Sequence, residues 1–203
     1  HMSNPQLNSL EFHPIVEHWF KNRFAAPSPP QKSGWPSIAA GNHTLILAPT
    51  GSGKTLAALL WSIDQLFRKS LKMDTREFDQ NPSGVHTLYI SPLKALNNDI
   101  HQNLKAPLKE IGREARRSDI QAAPIRLAVR TGDTPSHVRR SMLHKPPHIL
   151  ITTPESFYLL LTSERGRDLF QALQYIIVDE IHALCNNKRG VHLSLSLERM
   201  APL

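Results

Sequence analysis

A single cysteine, Cys185, stands in a chain of 203 residues, which excludes an internal disulfide framework and a cysteine-built metal cluster and points to a reducing, cytoplasmic setting. No apolar run reaches the roughly 20 residues that cross a bilayer, and no basic-then-apolar leader opens the chain, so no membrane partner is expected. Internal repeats and low-complexity tracts are lacking as well. What is left is the length and composition of one ordinary domain, 40% hydrophobic, able to bury a core. His1 and Met2 read as a vector scar followed by a native start, and residues 1–23 as an N-terminal extension ahead of a domain spanning 24–203.

Negative charge is in short supply: 17 acidic residues face 24 Lys and Arg, for a formal charge of +7. A basic surplus suits a polyanionic partner, because each phosphate neutralised releases condensed counterions. The surplus gathers between Lys105 and Lys145, where Arg113, Arg116, Arg117, Arg126, Arg130, Arg139 and Arg140 accumulate; a solvated helix face explains the same residues.

Pro27-Ser28-Pro29-Pro30 and Asn81-Pro82-Ser83-Gly84 mark loops. Between such breaks lie short runs of branched apolar residues, at Thr44–Leu47, Thr87–Ile90, Arg126–Val129, His148–Ile151 and Tyr175–Val178. Their composition predicts buried parallel strands. Helical spacing runs through Thr55–Lys69, through Ile100–Ala115 with an interruption at Pro107, and through Ser156–Thr162. Strand and helix in alternation predict an α/β sheet covered on both faces, whose ligands sit beyond the carboxyl ends of the strands.

The first strand runs into Ala48-Pro49-Thr50-Gly51-Ser52-Gly53-Lys54-Thr55, and a helix follows. Glycines let the backbone wrap a phosphate, and the free N–H groups of a helix N-terminus favour an anion. Lys54 adds a point charge for the β- and γ-phosphates, and the Thr55 hydroxyl is a magnesium ligand, so ATP and Mg²⁺ are the expected cofactors. Ala48 replaces the first glycine of the usual pattern, a mild departure.

The last strand ends in Ile176-Ile177-Val178-Asp179-Glu180-Ile181-His182. At a nucleotide site Asp179 would hold the metal and Glu180 would polarise the attacking water, with His182 a coupling residue or simply a packed one. An acidic pair ending a strand is otherwise commonplace.

With both motifs on one chain, the sequence resembles superfamily 2 helicases of the DEAD/DEAH type, and among them the large helicase-related (Lhr-like) proteins. Further stretches carry the likeness. Gln31 to Gly41 is similar to the segment ahead of the phosphate loop, which implies that Gln31 reads the adenine edge. Tyr89 to Leu96, with Ser91, Pro92, Leu93 and Lys94, resembles the first nucleic-acid motif of the family; Thr131-Gly132-Asp133 and Thr153-Pro154-Glu155 resemble the next two. All three follow strands, so backbone N–H groups, hydroxyls and the Lys94 amine would meet phosphate oxygens without reading bases. Thr-Pro-Glu is equally a good helix start, with threonine as cap and proline in the first turn. Lys188 to Arg199 matches the Lhr-like continuation. The likeness runs from Phe24 to Met200 and weakens between Arg68 and Ser83.

The resemblance implies a three-layer RecA-like P-loop NTPase domain with a mainly parallel central sheet, the first motor domain of a 3′–5′ translocase on single-stranded DNA or RNA. It also implies a serine-alanine-threonine strand and a second RecA-like domain carrying an arginine finger, neither of which occurs before Leu203. ATP binding with little turnover is the expectation for this chain alone. That further strand would lie between the phosphate-loop strand and the acidic strand. Without it, two inner edges would be left to close by a register change, to borrow a strand from a second copy, or to leave the fold marginal. A P-loop phosphotransferase and a non-catalytic nucleic-acid-binding module are the competing classes.

Overall fold

The computed structural model describes residues 12–23, 44–48, 53–92 and 100–179. Five strands, β1 (Thr44–Ala48), β2 (Thr87–Ile90), β3 (Leu127–Arg130), β4 (Ile149–Thr152) and β5 (Tyr175–Asp179), form one sheet in the order β1-β5-β2-β4-β3. Every pairing is parallel, so all five carboxyl ends share one rim. Each strand lies within a residue or so of where its apolar run predicts it.

Helices cover both faces, as parallel strands require. On one side α1 (Pro14–Arg23), α2 (Gly53–Lys72) and α4 (Ile100–Arg117) pack with Tyr89, Ile149, Ile151 and Ile177. The alternate strand residues Leu88, Ile90, Leu150 and Val178 face the other side, with α5 (Ser136–His144), α6 (Pro154–Leu161) and the short α7 (Glu164–Asp168). The period of two in β2 to β5 therefore feeds two separate cores from one sheet.

Three departures from the sequence reading are physical. The slot implied between the phosphate-loop strand and the acidic strand is absent. β1 and β5 are direct neighbours over five residue pairs, from Thr44↔Tyr175 to Ala48↔Asp179, so the inner edges satisfy each other and leave no place there for a borrowed strand. Secondly, α4 runs unbroken through Pro107, which is buried in a small apolar pocket beside Trp19, Leu127 and Ile149. Burial of the ring offsets part of the cost of the missing hydrogen bond. Thirdly, α2 runs past the predicted end at Lys69 to Lys72, and α3 (Thr75–Gln80), which no helical spacing predicts, is capped by the Asp74 carboxylate, which accepts from the Arg76 and Glu77 N–H groups.

The N-terminal extension is part of the core. Phe12, Ile15, Val16 and Trp19 are buried, and the Trp19 indole donates to Glu110 of α4. Asp64 of α2, wholly buried, accepts from the His13 N–H at 2.6 Å and from Arg68 Nε at 2.9 Å. Burial raises the Asp64 carboxyl above its ordinary value, against the pull of these two donors.

At the amino ends of the strands a polar network is closed on itself. His148, 1% exposed, stacks on Phe78 at 4.2 Å, takes the Arg126 N–H on Nδ1 and donates from Nε2 to the Phe78 carbonyl. Asn81 sits in the left-handed region at φ 50° and its amide donates to the carbonyls of Gly84, Pro146 and Pro147. Arg126 donates to the carbonyls of Asp79 and Pro146, while Lys145 pairs with the Asp79 carboxylate at 2.8 Å. Gly84 turns at φ 92°, where a Cβ would lie 2.4 Å from the Leu169 carbonyl oxygen.

Candidate nucleotide and nucleic-acid interface

The chain leaves β1 at Ala48 and enters α2 at Gly53, so the glycine-lysine-threonine segment opens a 20-residue helix at the carboxyl rim. No acidic residue occupies the first turn of α2. Lys54 is there instead, at the positive end of the helix dipole, a placement that costs the free helix about 0.3–1 kcal/mol and is reversed in sign by a bound anion. The basic residues of the last turn, Lys69 and Lys72, stand where the dipole favours them. Register then brings in the second motif: Asp179 pairs with Ala48, on strands about 4.8 Å apart. Residues 131 positions apart in sequence thus meet at one point of the rim.

Gln31, Thr50, Gly51, Ser52, Leu93, Lys94, Glu180 and His182 lie outside the described residues. Of the remaining candidates, Gly53, Lys54 and Thr55 open α2, and Asp179 ends β5. Lys188 to Arg199 is likewise outside.

The three nucleic-acid candidates lie side by side at the ends of β2, β4 and β3, where register pairs Ile90 with Thr152 and Arg130 with Thr152. Ser91, just past β2, is fully buried and its hydroxyl has no hydrogen-bond partner among the described residues. Pro92 beside it is buried. Thr153 caps α6, accepting from the Ser156 N–H, with Pro154 in the first turn and Glu155 exposed; the helix-start reading of Thr-Pro-Glu is thus realised in full. Thr131 is half-buried and its hydroxyl accepts from the Asp133 N–H, leaving Gly132 and Asp133 exposed at the tip of the turn.

Two arginines that the sequence places only in a diffuse basic cluster have defined positions here. Arg139 of α5 donates to the carbonyls of Thr131 and Gly132, the shorter at 2.6 Å, and so fixes that turn. Arg130 ends β3 close enough that, after burial, the Arg139 charge is the next cause lowering its pKa. Two arginines near one backbone turn raise the local positive field, which suits phosphate. Spacing alone carries no sign of this, because the pair forms across a strand-turn-helix corner.

The family model described as DEAD/DEAH box helicase matches residues 28–202. The chain belongs to the DEAD/DEAH box helicase family. This helicase domain is 49% identical over 192 residues to "Lhr helicase/ probable uracil glycosylase" of Mycolicibacterium smegmatis, covering 95% of the chain and 12% of that relative. It is 51% identical over 185 residues to "ATP-dependent helicase Lhr-Core" of Methanocaldococcus jannaschii, covering 91% of the chain and 21% of that protein. The solved structure of Mycobacterium smegmatis helicase Lhr bound to ssDNA and AMP-PNP superposes with a TM-score of 0.77 at 48% identity, over 93% of this chain and 23% of that one. The architecture is accordingly the RecA-like fold of the first motor domain. The chain spans between about an eighth and about a quarter of the length of these relatives. Among the described residues no helix is long and apolar enough to cross a membrane.

Proposed function

We propose that this helicase domain binds ATP with Mg²⁺ at the junction of β1, α2 and β5, and grips single-stranded DNA or RNA along the ends of β2, β4 and β3. The observation that carries the reading is the Ala48↔Asp179 register, which sets the opening of the phosphate loop beside the acidic tip. The donor set fits the metal: the Thr55 hydroxyl and the Asp179 carboxylate are hard oxygen ligands, the kind Mg²⁺ takes, and the rest of its shell is left to water and phosphate. A bound Mg²⁺ would neutralise charge on the β- and γ-phosphates. Lys54 and the N–H groups opening α2 hold the phosphates, Gln31 reads the adenine, and Glu180 orients the attacking water.

Ser91, Pro92, Leu93, Lys94, Thr131, Gly132, Asp133, Thr153, Pro154 and Glu155 form the strand-gripping face, with His182 linking it to hydrolysis. That the solved Lhr structure is bound to ssDNA and AMP-PNP supports binding of a nucleotide and of a single strand by this domain. The chain is read as a motor domain whose arginine finger comes from a second RecA-like domain, so its turnover by itself is low and its translocation 3′–5′ requires the partner domain.

The test is a titration of the chain with a fluorescent ATP analogue and Mg²⁺, paired with filter binding of single-stranded DNA, each repeated on Lys54→Ala. Nucleotide affinity is expected to fall roughly tenfold to a hundredfold with strand binding retained. A wild-type chain that ignores nucleotide, or a variant that binds it equally well, overturns the assignment. Nucleotide binding with no affinity for single strands would favour the phosphotransferase class instead.

A further inference from the structure

Beyond the helicase site, the far edge of the sheet holds a groove of about 1200 Å³ that none of the family motifs uses. Leu127 and Ala128, at the start of edge strand β3, line its floor, and Val129 continues that edge beyond it. The Arg126 carbonyl accepts from the His148 and Ile149 N–H groups, and the Arg130 carbonyl from the Thr152 hydroxyl, so the even-numbered residues turn their backbone groups toward β4. Alternation turns those of Leu127 and Val129 outward, and among the described residues no backbone hydrogen bond reaches them from that side. One wall comes from Leu108, Ile111 and Ile120, the other from Val138 and Met142 of α5. Apolar walls on both sides of an unpaired strand edge are the geometry of strand addition.

The rim is predominantly positive. Lys105, Lys109, Arg113 and Arg116 recur at helical spacing along a single stripe of α4, line the groove, and make no ion pair among the described residues. Like charges four apart weaken a helix; the dipole favours Arg116, in the last turn, and leaves Lys105 and Lys109 without that offset. The acids of the same helix point elsewhere: Glu110 meets Trp19, and Glu114 meets His18 and Arg117. Asp119 is the one carboxylate lining the groove. The volume exceeds the usual range of small-molecule pockets, roughly 300–1000 Å³, and suits an extended chain. A second copy of a chain carrying +7 would be repelled.

We propose that this groove receives an extended segment of a separate protein, alternating apolar and acidic residues, which adds to β3 as a sixth strand. Its apolar side chains pack on Val138 and Met142, while its carboxylates, on the opposite face, meet the cationic stripe of α4. Main-chain bonds to Leu127 and Val129 supply registration, and the stripe supplies selectivity for acidic sequences.

Fluorescence anisotropy of the full chain with a labelled octapeptide alternating valine and glutamate tests this. Saturable binding is expected, weakened about tenfold or more in Lys109→Glu/Arg113→Glu. Both side chains are exposed, and an unchanged thermal melt confirms that the variant folds. The same peptide N-methylated at alternate residues keeps its charge but cannot pair along one edge, and should lose binding to the same degree. Equal binding of the methylated peptide would reduce the contact to charge attraction and overturn strand addition. Indifference to the octapeptide, with oligothymidylate affinity lost in the double variant, would overturn the proposal in favour of a nucleic-acid track.

Discussion

The two ends of the strands differ in what their polar groups do. At the amino rim they face one another: His148, Asn81, Arg126, Asp79 and Lys145 bond to nearby carbonyls and to each other. At the carboxyl rim the arrangement is left open. Ser91 is buried with a hydroxyl unpaired among the described residues, Gly132 and Asp133 project, and α2 carries a lysine in its first turn, where its dipole favours an acid. A parallel sheet separates these duties by construction, since every strand delivers its end to the same side. The amino rim holds the fold, although Arg126 Nε there is also without a hydrogen bond among the described residues, and the carboxyl rim presents groups that a ligand could satisfy.

Three measurements break or sharpen that contrast. His148→Ala removes a buried ring and strands both the Phe78 carbonyl and the Arg126 N–H. A loss of about 4 kcal/mol in urea unfolding is expected, with nucleotide affinity of the folded chain unchanged. A change in affinity without a change in stability would reverse the roles given to the two rims.

The second is pH. Burial, then the Arg126 and Lys69 charges, lower the His148 pKa to about 4, while its Phe78 carbonyl bond and the Asp79 charge oppose the shift; buried His86 goes to about 3. An imidazole with a depressed folded pKa is protonated first in the unfolded chain. Its contribution is complete above about 6.5 and is lost as pH falls toward 4. From pH 7 to pH 5 the His148 share of that loss is about 2 kcal/mol. His148→Phe, compared with wild type across the same interval by urea titration, should flatten the slope; an identical slope would remove the histidine from the account.

Smallest in stability is Ser91→Ala. Deleting a buried hydroxyl without a partner should leave the melt unchanged or raise it by less than about 1 kcal/mol. Affinity for single-stranded DNA should fall several-fold in filter binding. Destabilisation beyond about 1 kcal/mol would mean that the hydroxyl belongs to the fold and not to the open rim.

Much of this was legible in advance, for reasons that differ by element. Buried parallel strands are continuous branched runs, so five short stretches announced themselves, and Gly53-Lys54-Thr55 after such a run marks a helix start. The shortest helices escaped: α3 and α7 have 6 and 5 residues, too few turns for a period to stand out, and α3 is set by one aspartate cap. Pro107 read as a break because propensity is local, whereas its tolerance comes from the pocket around it. Lateral pairing of β1 with β5 has no local signature at all. Nor does the clasp of Arg139 on the Thr131–Gly132 turn, since it depends on a corner formed only in three dimensions.

Helix α1 has a practical meaning for anyone cutting this molecule. The match to the helicase family model begins at residue 28, yet four apolar side chains from Phe12 to Trp19 are already sealed into the interior. A truncation placed at that boundary would strip a lining worth about 1.5–3 kcal/mol for each of the larger side chains and open the flank of α4 to water. The unit that folds therefore starts one helix before the segment that the family model matches.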